Sequence, residues 1–90
     1  MMQRRVRITT GHGAHARPVA ELARLALGHS RPIILTTERG ERVDLTSILA
    51  VMDLGLNEGE TVVLETAPSA TAGAVLDAMA DVLAPSQRPR

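Results

Sequence analysis

No phenylalanine, tyrosine, tryptophan, cysteine or lysine occurs in this sequence. Without aromatic rings there is no platform for base stacking, and a formal net charge of zero offers no basic field to a phosphate backbone. Without cysteine there are no disulfides, no catalytic thiolate and no cysteine-based zinc site. We therefore expect no nucleic-acid partner and no cysteine chemistry.

Long apolar runs are also absent. No stretch approaches the ~20 apolar residues that a membrane-spanning helix requires. The charged residues near the N-terminus, Arg4 and Arg5, are not followed by the apolar segment of a secretion signal. These features predict a cytoplasmic protein without membrane insertion.

The chain is short but apolar enough to form a core. It has 90 residues, of which 44% are hydrophobic, and all of the core must be aliphatic. We expect a single domain over residues 1–85 and a flexible C-terminal tail over residues 86–90. We also expect a monomer.

Hydrophobic periodicity predicts alternating strands and helices in the order β-α-β-β-α-β-α. This order is typical of an α+β fold, an open-faced two-layer sandwich in which a four-stranded antiparallel sheet carries helices on one face. The predicted strands span residues 5–9, 32–37, 42–45 and 60–66, and the predicted helices span residues 16–27, 47–53 and a stretch from 68–69 to about Pro85.

The predicted helices are amphipathic. In the first helix the apolar stripe faces away from three charged residues, Arg17, Glu21 and Arg24. The residues expected in the core are Val19, Leu22, Ala23 and Ala26 of the first helix and Ala72, Val75, Leu76, Met79, Val82 and Leu83 of the last helix.

His15 stands immediately before the first predicted helix. The free N–H groups of that helix start and its dipole favour an anion, and Arg17 adds a guanidinium suited to phosphate oxygens. The same charges keep a neighbouring imidazole neutral and nucleophilic near pH 7. His15 is thus a candidate phosphoryl acceptor, although an exposed loop histidine and a plain surface arginine would show the same spacing.

The segment from Gly13 to Pro18, Gly-Ala-His-Ala-Arg-Pro, resembles the active-site signature of the HPr family, the histidine-containing phosphocarrier proteins of the sugar phosphotransferase system. Thr46-Ser47-Ile48-Leu49 and the following Leu54-Gly55-Leu56 resemble the family's regulatory segment. Length and element order agree as well, so the resemblance covers nearly the whole chain and implies an HPr-like fold.

The resemblance implies a shuttle between two proteins. Phosphorylated enzyme I would pass a phosphoryl group to the δ nitrogen of His15, and His15 would pass it to a IIA domain of a sugar permease. Arg17 would assist the transfer, and the backbone N–H groups of Ala16 and Arg17 would bind the phosphate. Neither a metal nor another cofactor is implied.

Two other functions remain open on the sequence. The first is a regulatory phosphocarrier of a nitrogen-type or dihydroxyacetone-type system, which acts through phosphorylation-dependent protein interaction. The second is a ligand-binding module in which His15 and Arg17 hold a free anion.

A carrier of this kind needs a docking surface for its partners. The candidate docking residues are Ala20, Arg24, Leu27, Ile48, Leu49 and Met52. Aliphatic residues at helical spacing are more often core than surface, so the pattern leaves open whether Ile48 and Leu49 are exposed.

Ser47 has two interpretations. The resemblance implies a regulatory phosphorylation site for a serine kinase. The sequence before the second helix predicts an N-cap at Thr46 or Ser47, worth roughly 1 kcal/mol.

The chain departs from the family pattern at a few positions. His12 replaces a frequent asparagine, and its role is open, since it could share the phosphate of His15 or face water. Leu27 and Ala50 replace frequent basic residues, which weakens electrostatic steering of partners.

Overall fold

The computed structural model describes residues 1–9 and 16–85. In chain order its elements are β1 (Met2–Arg7), α1 (Ala16–Leu27), β2 (Ile33–Thr37), β3 (Arg42–Asp44), α2 (Ile48–Asp53), β4 (Thr61–Thr66) and α3 (Ala72–Leu83). This order confirms the predicted β-α-β-β-α-β-α succession.

The four strands form one antiparallel sheet in the order β1-β4-β2-β3. Leu64 lies at its centre, opposite Arg4 of β1 on one side and Leu35 of β2 on the other. Because side chains alternate along a strand, every second residue points to the face on which the helices pack. That face holds the buried residues Val6, Ile33, Leu35, Val62 and Leu64, which confirms the predicted two-layer arrangement.

Most of the helix residues that were expected in the core are buried. Val19, Leu22, Ala23 and Ala26 of α1 are all buried, as are Ala72, Leu76, Met79 and Leu83 of α3. Val75 and Val82, also expected in the core, are only half-buried at its margin. An ion pair between Arg4 Nε and Asp77 Oδ1, 2.7 Å apart, ties β1 to α3.

Two predicted boundaries were wrong. The first strand begins at Met2 and ends at Arg7, because antiparallel pairing with β4 extends to Met2 opposite Thr66. The last helix begins at Ala72 and not at residues 68–69, because the Ala72 N–H donates to Ser69 O at 3.3 Å and closes a turn before the helix starts. The other strand and helix ends agree with the predictions within about two residues, the usual spread between assignments.

Among the described residues, none of the helices combines the length and the apolar character needed to cross a bilayer.

Candidate functional site

The residues on either side of the sequence stretch that carries His15 belong to the hydrogen-bonded structure. The Thr9 N–H donates to Leu83 O at the end of α3 at 3.0 Å, and Ile8 O accepts the Gly59 N–H at 2.7 Å. The chain re-enters the described structure at Ala16, the first residue of α1. His12 and His15 themselves lie outside the described residues, as do residues 86–90, where a tail was expected.

The start of α1 has the features of an anion site. N–H groups in the first turn of a helix have no acceptor within the helix, and the backbone N–H groups of Ala16 and Arg17 belong to that turn. No acidic side chain occupies the first turn, so none competes for these donors there. With the positive end of the dipole, the helix start favours a negatively charged group beside it.

Arg17 is exposed in this first turn. None of the ion pairs among the described residues involves it. A cation near a helix N-terminus is mildly unfavourable, and a bound anion removes that cost. The Arg17 guanidinium makes no ion pair with any other described residue and is available to an anion near the start of α1.

Arg24, one of the candidate docking residues, is engaged within its own helix. Its Nε donates to Glu21 Oε1 at 3.1 Å, and its Nη2 donates to Glu21 Oε2. These hydrogen bonds lower the pKa of Glu21 and raise the pKa of Arg24. The helical period predicts both residues on the polar side of α1, and their spacing of three residues permits the pair without identifying it.

The remaining candidate docking residues are exposed. Leu27 is 71% exposed, Ile48 42%, Leu49 76% and Met52 43%, and Ala20 is also exposed. On α2 only Val51 is buried, and α1 and α2 pack against each other. We call this surface the α1–α2 face and define it by Arg17, Ala20, Arg24, Leu27, Ile48, Leu49 and Met52.

Ser47 occupies the N-cap position of α2 but does not cap it with its side chain. Its backbone is extended, at φ −98° and ψ 92°, and its hydroxyl makes no capping hydrogen bond. Asp44 organises this turn instead, since its Oδ1 accepts the Thr46 N–H at 2.9 Å and the Thr46 hydroxyl at 2.7 Å. The expected capping hydrogen bond of Ser47 is therefore absent, and its hydroxyl is exposed.

Replacing Ser47 with alanine is consequently expected to change the free energy of unfolding by less than about 0.5 kcal/mol, and not by the ~1 kcal/mol of a true N-cap. Urea unfolding measures it. Asp44→Ala is the matched comparison and should destabilise the protein more, because it removes the acceptor of two hydrogen bonds. A loss of 1 kcal/mol or more for Ser47→Ala would contradict this description of the turn.

No group of three or more histidine, cysteine, aspartate or glutamate side chains suited to a metal ion occurs within residues 1–9 and 16–85.

Comparison with known proteins gives consistent matches. The family model described as "PTS HPr component phosphorylation site" matches residues 2–84. The phosphocarrier protein HPr of Streptomyces coelicolor is 34% identical over 84 residues, which cover 93% of this chain and 89% of the relative.

Solved structures agree. HPr from Bacillus anthracis superposes with a TM-score of 0.81 at 28% identity and covers 91% of this chain and 95% of its own. A histidine-containing phosphocarrier protein of Mycoplasma gives a TM-score of 0.79 at 25% identity and covers 90% of each chain. The similarity thus extends over nearly the full length of each protein.

Proposed function

This chain belongs to the HPr family of the phosphotransferase system, and from that premise we propose that it carries a phosphoryl group on His15 from phosphorylated enzyme I to a IIA domain of a sugar permease. The observation that carries the proposal is the start of α1. The helix begins at Ala16, so the histidine of the family signature directly precedes a first turn whose N–H groups have no acceptor within the helix. The same turn carries the exposed Arg17.

The transfer is a substitution at phosphorus. The lone pair of the neutral His15 imidazole forms a nitrogen–phosphorus bond while the bond between phosphorus and enzyme I breaks, and the reverse exchange delivers the group to the IIA domain. Such transfers depend on positioning and charge stabilisation rather than on covalent chemistry by the surrounding protein. The first-turn N–H groups of α1 and the Arg17 guanidinium provide that stabilisation for the phosphate oxygens.

The experiment that tests this function is labelling with enzyme I and ³²P-phosphoenolpyruvate. We expect one phosphate per chain, labile in acid and stable in alkali, as phosphohistidine is. An acid-stable label, or no label with active enzyme I, would contradict the proposal.

Arg17→Ala is expected to lower the rate of phosphate acceptance by about 10²-fold, the scale on which loss of one oxyanion-stabilising donor slows a reaction. The fold should be unaffected, because the side chain is exposed. Quenched-flow labelling measures the rate.

Arg31→Ala is the matched control for Arg17→Ala, since Arg31 is an exposed arginine in the connection between α1 and β2. It should transfer at the wild-type rate. Equal rates for both variants would show that Arg17 does not assist the transfer.

The partners would dock on the α1–α2 face. Its large apolar side chains, Leu27, Ile48, Leu49 and Met52, are exposed on two helices that pack against each other. Arg17 lies on the same face and belongs to the turn that follows His15. A partner bound to the α1–α2 face would bury this apolar surface and at the same time reach the phosphoryl site.

Ser47 would be the acceptor of a second, regulatory phosphate from a serine kinase. Its hydroxyl is exposed and makes no capping bond. A phosphoserine carries a charge of about −1.5 to −2 at pH 7. That charge next to Ile48 and Leu49 would oppose docking of a partner that binds apolar surface.

A further inference from the structure

The α1–α2 face carries two arginines in different electrostatic states. Arg17 is free of ion pairs among the described residues, whereas Arg24 is paired with Glu21. Glu21 lies four residues after Arg17 and three before Arg24, so its spacing permits either pair. The structure selects Arg24, and the cation that remains available to a partner is the one nearest the start of α1.

The geometry of the pair restricts what else Arg24 can bind. Two of its donors, Nε and Nη2, are directed to the two carboxylate oxygens of Glu21. A carboxylate of a partner would have to displace Glu21 or approach close to its negative charge. Displacing Glu21 breaks its hydrogen bonds to Arg24, and approaching Glu21 brings the partner's carboxylate close to the Glu21 carboxylate. Each of these costs free energy.

We propose that Glu21 is a specificity-determining residue: by keeping Arg24 occupied, it directs docking to the apolar part of the α1–α2 face and disfavours partners whose docking surface is rich in carboxylates. The inference rests on the proposed function, since enzyme I is the partner concerned. It also fits Leu27, an apolar residue that is 71% exposed on the same helix face. Repulsion of unsuitable partners is a common means of specificity.

The test measures the affinities of the wild type and of Glu21→Gln for each of two enzyme I proteins. One is encoded in the same genome as this chain, and the other is chosen for acidic side chains on its docking surface. In Glu21→Gln the Arg24 guanidinium is released. We expect the affinity for the acidic enzyme I to rise about threefold at low salt, the scale of one exposed ion pair, with little change for the enzyme I of the same genome.

Two variants and one condition identify the cause. Adding Arg24→Gln to Glu21→Gln should abolish the gain, and so should 0.5 M NaCl, because salt screens exposed charges. Asp77→Asn is the matched control. This substitution raises the net charge by the same amount and releases Arg4 from its ion pair. Asp77, however, lies on α3, which packs beside the edge strand β1, whereas α2 packs beside β3 at the opposite edge of the sheet. The substitution should change neither affinity.

The outcomes separate this inference from the proposed function. If the wild-type protein accepts phosphate but Glu21→Gln leaves the ratio of the two affinities unchanged, Glu21 does not determine specificity and the inference is wrong. If the gain survives removal of Arg24, the release of Arg24 is not its cause and the inference is equally wrong. Failure of the wild-type protein to accept phosphate from the enzyme I of its own genome would instead overturn the proposed function.

Discussion

Replacing His15 with alanine is expected to abolish phosphate uptake from enzyme I, because the family signature assigns the phosphoryl acceptor to His15, the residue that directly precedes α1 in the sequence. The chain contains three histidines. His29 follows the opposite end of α1, and its Nε2 is buried without a hydrogen-bond partner among the described residues. It is therefore far along the helix from the donors that would stabilise a phosphate.

The measurement is incorporation of ³²P after incubation with excess enzyme I and phosphoenolpyruvate. His12→Ala and His29→Ala are the matched controls and should accept one phosphate per chain. Circular dichroism should show the same fold for all three variants. Full labelling of His15→Ala would contradict the assignment, and loss of label in His12→Ala alone would move the phosphoryl site to His12.

The second large effect is expected in the core. Leu64 is fully buried at the centre of the sheet, between β1 and β2. Truncation of such a leucine to alanine removes aliphatic contacts and leaves a cavity, which costs about 2–5 kcal/mol. No aromatic side chain is present to fill the space, so Leu64→Ala should lose much of the stability of so small a protein.

Leu49→Ala provides the matched comparison, because the same truncation occurs at a side chain that is 76% exposed. We expect its free energy of unfolding to change by less than about 0.5 kcal/mol, while its affinity for enzyme I falls by about tenfold, as at a central interface residue. Urea unfolding and titration calorimetry measure the two quantities. Equal destabilisation by both variants would contradict the described burial, and unchanged affinity for Leu49→Ala would contradict docking on the α1–α2 face.

Much of the fold could be predicted from the sequence because local and tertiary preferences agree. The helix over residues 16–27 was predicted with the bounds that the structure has, since Pro18 suits a first turn, the apolar stripe has helical period and Gly28 follows the end. The start of β1 was missed for the opposite reason. Arg4 lies on the helix-facing side of the strand, where an apolar residue is usual, and its partner Asp77 is 73 residues away in sequence.

The site was predictable only in part. The exposure of Ile48 and Leu49 could not be derived from their spacing, because apolar residues show the same pattern in a core. The exposure of these two side chains arises because α2 has only six residues, of which Val51 alone is buried. The choice of Glu21 between Arg17 and Arg24 depends likewise on side-chain conformation and not on spacing. The role of His15, outside the described residues, stays a prediction.

The most direct test of phosphoryl transfer through His15 is to locate the phosphate in the isolated phosphoprotein by tandem mass spectrometry, before and after addition of a IIA domain. Before addition, we expect the phosphate on His15 in essentially every chain. Afterwards it should be on the IIA domain, with His15 unmodified. A phosphate on His12 or His29, or one that stays on His15 in the presence of the IIA domain, would contradict the proposed function.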